Sequence, residues 1–511
     1  MVACNCTWLL TFGLFGAVCG LIYLFFVWNF GSWKKRGIRE AKSYPFVGTF
    51  PNVILQKRNA AYDVDDVYRK FKDTDNFVGV FSSRTPQLLV LSPECMHNVY
   101  VNDFKNFHDN EFASYVDEQS DVIMSNNPFA LTGELWKERR NEITPGMTMN
   151  RIKNAYPVTQ AVCKRFNKYI KEQIKMSDKD GIDTNDLCLR FTSEVVTDCV
   201  LGIKADSLTA NPTPILGMIK TLFDFNLTFA LYIFTVGSLP ALQKIYKMRL
   251  FPKKVEKFFF NLMQQSTDLR RAEGNDRVDF LNYLLQLQDK KHLTTPEMTS
   301  HVMTFLTDGF LTTASVVTHC LLLVILARDR VRQEKLRAEI VKHLDKDDEL
   351  SFEDLHELPY LNACFHEALR IFSPLTGNTK VCTVPYEFTN KNGKTLKVNV
   401  GEIVIIPAYS IHHDAQYYEE PEEFRPERFL PENGGVKSYR ERGLFLGFGD
   451  GPRVCLGMKF ALTQGKAAIV EIIKNFNIKV NPKTRTDNNM NAKNLLSELS
   501  GGVWLDFEAR S

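Results

Sequence analysis

The chain has 511 residues, enough for one large domain or for two or three of average size, with 44% hydrophobic and 24% charged residues and a net charge of +3. That near balance, with no basic block interleaved with aromatics, excludes a nucleic-acid binder. Eleven cysteines, odd in number and scattered without a Cys-x-x-Cys pair, exclude a disulfide framework and a zinc finger and predict a reducing compartment.

Residues 7–33 carry no charge and are rich in Leu, Phe, Val and Ile. As a helix the run is long enough to cross a hydrocarbon core of about 30 Å. Trp8 lies near one end and Trp28 and Trp33 near the other, where interfacial aromatics stand, and Lys34, Lys35 and Arg36 follow at once. The positive-inside rule then puts the rest of the chain in the cytosol. The run exceeds the apolar core of a cleaved signal, and no basic lead or small-x-small cleavage site is evident, so residues 1–33 are predicted to be an uncleaved signal anchor. Residues 34–52, basic at the start and carrying Pro45 and Pro51, read as a stiff connector, and 53–511 as a single domain.

Alternation over 77–81 and 87–91 predicts a small strand pair after a helix. Residues 102–130, rich in Asn, Asp and Phe, read as loop. Gly133 opens a helix on which Trp136 and Arg140, four apart, share a face, so an indole N–H and a guanidinium can converge on one anion. Residues 155–203 read as two mostly helical stretches, and 216–260 are crowded with Phe, Leu and Ile, above all over 221–229.

Thr294-Thr295-Pro296-Glu297 supplies a hydroxyl cap, a proline in the first turn and an acid behind it. The helical pattern then runs to about residue 328, roughly 50 Å at 1.5 Å per residue, and is apolar over much of its circumference, which predicts burial through one large domain. In its middle, Gly309 is expected to let a ligand approach the backbone. Thr312 can bond back to a carbonyl one turn earlier and loosen the helix, and Asp308 shares its face. Ser351 and Asp354 outline a capping box, and Pro359 opens an apolar helix bearing Glu367 and Arg370. A buried ion pair needs further partners, and Arg428 is available. Asn392-Gly393 marks a hairpin turn, and 398–407 reads as strands separated by Gly401.

Phe448-Gly449-Asp450-Gly451-Pro452-Arg453-Val454-Cys455-Leu456-Gly457 delivers one cysteine to an apolar helical run, 458–476. Its glycines permit left-handed or close-approach backbone, and N–H groups at a helix start converge on Cys455, a setting expected to favour thiolate. Lys459 and Lys466 on that helix, with Lys137 and Arg139, read as a basic patch for an acidic electron donor.

The pattern Phe-x-x-Gly-x-Arg-x-Cys-x-Gly, filled by Phe448, Gly451, Arg453, Cys455 and Gly457, resembles the haem-binding signature of the cytochrome P450 family. Trp136-x-x-x-Arg140, Glu367-x-x-Arg370 and Pro426-Glu427-Arg428-Phe429 resemble its other motifs, in the family's order. The resemblance implies a mainly helical haem-thiolate fold with a small β portion and an N-terminal transmembrane anchor. It implies haem b with Cys455 as axial iron ligand and Phe448, Arg453 and Gly457 beside it. Trp136, Arg140 and Lys380 would hold the haem propionates, Lys380 standing where the family usually has an arginine and lacking its bidentate fork. Glu367, Arg370 and Arg428 would form a structural triad behind the loop.

In the family's oxygen-activating segment, Ala/Gly-Gly-x-Asp/Glu-Thr-Thr/Ser, Thr312 falls on the threonine, but the usual acid is Leu311 and the usual small residue is Asp308. Asp308 is read as a replacement proton carrier, which makes Thr312 and Asp308 the catalytic candidates. By the same resemblance, 102–130 faces the substrate and 216–260 covers the cavity and dips into the membrane.

The implied activity is that of a membrane-bound monooxygenase inserting one atom of O2 into a lipophilic foreign compound, hormone or lipid. No Rossmann or flavin fingerprint is present, so electrons from NADPH need a separate protein, by resemblance NADPH–cytochrome P450 reductase, with cytochrome b5 as a second candidate donor. The implied location is the endoplasmic reticulum membrane, catalytic domain on the cytosolic side, as in microsomal insect and vertebrate members. The alternative is a haem-thiolate isomerase or dehydratase acting on an oxygenated lipid without external electrons, which the loss of an acid at Leu311 suggests and the retained Thr312 opposes.

Overall fold

One long helix, Thr295–Leu326, runs through the interior, and the site is organised along it. The computed structural model describes residues 2–510 except 118, 177–180, 223–226, 240, 243–244, 246–248, 275–276, 327–329 and 495. Part of the aromatic stretch 221–229, and the helix end expected at residue 328, therefore lie outside the described residues. The helices that position the site are α1 (Val2–Val27), α2 (Ala60–Phe71), α3 (Gly133–Ile143), α4 (Met149–Met176), α5 (Thr184–Leu201), α6 (Thr295–Leu326), α7 (Pro359–Ile371) and α8 (Met458–Asn475).

The β portion is small. Strands β1 (Phe77–Ser82), β2 (Thr85–Val90), β3 (Ile182–Asp183), β4 (Asn378–Val381), β5 (Tyr386–Thr389), β6 (Thr395–Val398), β7 (Ile403–Ile406), β8 (Phe476–Val480) and β9 (Trp504–Ala509) form three sheets. The largest has the order β1-β2-β7-β4, with β2 and β7 parallel and the other pairs antiparallel. Its register sets Lys380 opposite Val404, in the interior.

Helix α6 starts as its sequence requires: the backbone N–H and hydroxyl of Thr294 both donate to Glu297 at 2.8 Å, and the Glu297 N–H returns to the Thr294 hydroxyl. It packs against α5, α7 and α8. The approach to α5 is close enough that a Cβ on Gly309 would meet Val196 at 3.2 Å. Gly309 thus serves helix packing on the side its missing Cβ would occupy.

Helix α1 is as apolar as α6, yet residues 11–24 are all exposed. Trp28 is exposed as expected of an interfacial aromatic, but Trp33 is not. Its indole is buried, donates to the Val80 carbonyl at 3.2 Å, and lies over Gly79, where any Cβ would overlap it. The chain leaving α1 is therefore pinned to β1 at once, because a glycine in that strand leaves room for a large ring.

Candidate active site

The cysteine loop is a chain of short-range hydrogen bonds. Gly449 N–H donates to Leu446, Cys455 N–H to Phe448 and Val454 N–H to Gly451, at 2.9, 2.9 and 3.0 Å. Gly451 has φ +65°, and a Cβ there would overlap the Tyr100 carbonyl, so no other residue fits. A Cβ on Gly449 or Gly457 would meet nothing within 4 Å, leaving open space beside the sulfur. The N–H groups of Gly457 and Met458, at the start of α8, bond to that sulfur.

The Cys455 side chain is reached by solvent through the cleft it faces, but protein encloses it. Burial pushes its thiol up to about 11, against the pull of the Gly457 and Met458 N–H groups and the Arg140 charge. The helix start and its N–H groups thus act towards thiolate, as expected from the sequence, and burial opposes them. A cation bound at the sulfur is needed to invert that balance.

Across the cleft stands the middle of α6. Asp308 is exposed although Thr307 before it and Phe310 after it are buried, which aims its side chain into the cleft. Its charge also raises the Cys455 thiol, so the two groups lie within electrostatic reach of one another. Solvent reaches the Asp308 carboxyl only through the cleft, and enclosure by the surrounding protein raises it to about 6, partly offset by the Thr307 hydroxyl 3.2 Å away. The Thr312 hydroxyl donates to the Asp308 backbone carbonyl, the back-bond read from the sequence. Helix phase aligned the two residues correctly, but the Asp308 carboxylate takes its hydrogen bond from Thr307, not Thr312.

On the flank, Arg140 donates to the Val454 carbonyl at 2.5 Å. Arg453 donates to the carbonyls of His108 (2.6 Å), Leu131 (2.9 Å) and Pro128 (3.3 Å) and lies 4.1 Å from the Trp136 ring centre. Trp136 and Arg140 share one side of α3 and both border the loop, Trp136 through Arg453. Lys380 is fully buried, with its ammonium 5.4 Å from the Tyr100 ring. Burial and the neighbouring Arg453 hold Lys380 down to about 7, and burial holds Arg453 down to about 10. Among the described residues, Asp109 is the one carboxylate acting on both. Enclosed ground with surplus positive charge, beside a sulfur and two glycines facing open space, fits a flat, bulky, dianionic group with a metal at its centre.

Behind the loop the expected triad is assembled. Arg370 makes a two-pronged pair with Glu367 at 2.8 and 2.9 Å, and Arg428 reaches the same carboxylate at 3.1 Å, all three buried. The Arg425 N–H adds a fourth donor at 2.9 Å. The remaining Arg370 nitrogen donates to the His412 carbonyl at 2.6 Å, and His412 Nε2 accepts from the Leu446 N–H at 2.9 Å. Burial holds His412 well below its usual range, so its ring is neutral and able to accept. Through His412 the triad fixes the residue from which the loop departs. Sequence reasoning missed His412 and Asp109, whose partners are 34 and 344 positions away.

The expected basic patch is only half present. Lys137 and Lys459 are exposed, but Arg139 is bonded to Glu142 and Glu297, and Lys466 is buried and held down to about 8 by that burial.

Residues 39–503 match the family model described as Cytochrome P450. The chain is 55% identical over 497 residues to a probable cytochrome P450 28d1 of Drosophila melanogaster, covering 97% of this chain and 98% of that one. It is 47% identical to a probable cytochrome P450 28a5 of the same species, covering 98% and 99%. To cytochrome P450 9e2 of Blattella germanica it is 29% identical over the full length of both.

Proposed function

The chain belongs to the cytochrome P450 family, whose members are haem b monooxygenases with a cysteine thiolate on the iron, and we propose that its substrate is a lipophilic small molecule and its iron ligand Cys455. The observation that carries this reading is that the Asp308–Thr312 turn of α6 lies within electrostatic reach of Cys455, whose thiol the Asp308 charge raises.

When bound, the haem supplies the redox chemistry that activates O2. The rest falls to the chain. Arg140, Arg453 and Lys380 offset the propionate charge, and Trp136 backs Arg453. Phe448 and Gly457 frame the sulfur through their backbone groups. The Thr312 hydroxyl, anchored on the Asp308 carbonyl, keeps an oxygen at the helix wall, while the Asp308 carboxyl, with a pKa near 6, holds a proton at Oδ or releases it close to neutral pH. This hydroxyl and carboxyl support oxygen activation, and nothing in the cleft favours the isomerase or dehydratase alternative.

A membrane anchor is supported by the exposed, uncharged face of α1 and by exposed Val53, Ile54 and Leu55 on the domain below it. Phe26 at the foot of α1 packs on Phe46, ring centres 4.6 Å apart, holding helix and domain together. We infer an endoplasmic reticulum location with the catalytic domain in the cytosol, and electron supply from a flavoprotein reductase meeting the Lys137 and Lys459 side. The test is reconstitution with NADPH–cytochrome P450 reductase in lipid vesicles. NADPH consumption that rises with an added lipophilic substrate, with an oxygenated product, supports the reading; product formed without NADPH contradicts it.

A further inference from the structure

Gln464 lies on α8, nine residues beyond Cys455, and is completely buried. Its Nε2 donates across the helix interface to the Gly309 carbonyl at 3.3 Å and to the Thr313 hydroxyl at 3.2 Å. Its Oε1 is buried and accepts no hydrogen bond among the described residues. A leucine of similar volume would leave no such orphan, so packing does not account for an amide here. The next residue, Gly465, packs so tightly that a Cβ would meet Phe365 at 2.6 Å and Thr313 at 3.4 Å, so α8 and α6 are in close contact here.

Two consecutive carbonyls of α6 thus carry an extra donor. The Asp308 carbonyl takes the Thr312 hydroxyl and the Gly309 carbonyl takes the Gln464 amide. A helical carbonyl that accepts a second hydrogen bond tilts outward and weakens the bond from the N–H one turn on, which widens the helix locally. The two extra donors fall on the turn bearing Asp308 and Thr312, and one of them comes from the helix that begins three residues after Cys455.

We propose that Gln464 is a positioning residue for oxygen activation: from the cysteine helix it holds the Gly309 carbonyl and Thr313 hydroxyl, and so fixes where Asp308 and Thr312 stand relative to the sulfur. This rests on the monooxygenase reading above. Gln464 touches neither the cleft groups nor the sulfur, so its loss leaves the haem site intact while the opposite wall relaxes.

The experiment compares full-length wild type with Gln464→Leu, and with Gln464→Met, which fills a similar space without a donor and serves if the leucine variant does not fold. Amide hydrogen exchange over 308–313 and product formed per NADPH consumed are read together. Removing the bridge is expected to change exchange over 308–313 by about three- to tenfold relative to flanking α6 turns, with product per NADPH falling and hydrogen peroxide rising. The carbon monoxide spectrum of the reduced variant stays that of wild type. Unchanged exchange and unchanged product ratio in a folded variant with the wild-type spectrum overturn the proposal. A wild type without the thiolate spectrum defeats the monooxygenase reading instead, and the exchange comparison still decides whether the bridge shapes α6.

Discussion

The two walls of the cleft are made of different material. The cysteine wall is a loop held by neighbouring backbone groups and by a buried network that runs through Glu367, Arg370 and His412 to Leu446. The opposite wall is a regular helix whose special turn rests on a hydroxyl, a carboxyl and an amide. A loop has no ladder of its own, so its shape depends on every tie. A helix keeps its course when one side chain is lost. Damage to the cysteine wall should therefore remove the cofactor, and damage to the helix wall should leave the cofactor and change what is done with electrons.

The largest effect is expected from Arg370→Leu. It strips Glu367 of its two-pronged partner and frees the His412 carbonyl in a fully buried place, and breaking such a pair costs about 3–5 kcal/mol. Haem per protein should fall to near zero; normal haem content would remove the triad from the loop's support. Gly451→Ala comes next, because it combines φ +65° with overlap on the Tyr100 carbonyl, whereas Gly449→Ala at φ +69° meets no atom and costs about 1 kcal/mol of backbone strain. Equal haem retention in the two variants would mean that contact with Tyr100 does not shape the loop.

On the helix wall, Thr312→Ala should keep haem and its spectrum while product per NADPH falls by about tenfold or more. An unaltered yield would leave the back-bond without a catalytic part. Asp308→Asn should have the smallest effect and the clearest pH signature. Because the folded pKa of about 6 lies above the ordinary aspartate value, the native carboxyl binds its proton more tightly than the unfolded one. Its contribution to stability is therefore present at low pH and lost as pH rises through about 6. Product per NADPH should fall over the same window in wild type and be flat in Asp308→Asn; a wild-type profile without that inflection would assign Asp308 a role other than proton supply.

Much of the cysteine wall was legible because its signals are local. Three glycines, a proline and a helix start within ten residues describe a loop, and Glu367 three before Arg370 describes one helix face. The ties that complete it were not legible, since His412 and Asp109 act on partners far along the chain and follow no period. Phase on α6 placed Thr312 against the Asp308 carbonyl, but phase does not say which neighbour fills a given side. Gly309 proved to face Val196, and Asp308 bonds Thr307. Trp33 and Lys466 were misread for one reason: an aromatic near an apolar helix end and a lysine on a helix both default to the surface, and only packing against Gly79 or inside α8 reverses that.

The most direct measurement is the absorption spectrum of the purified full-length protein, reduced and exposed to carbon monoxide, beside that of Cys455→Ser. A far red-shifted Soret band in wild type that vanishes in Cys455→Ser is the expected result, since Cys455 is the cysteine that faces the cleft across from Asp308. A band of imidazole type, no haem at all, or a red-shifted band that survives in Cys455→Ser would contradict it.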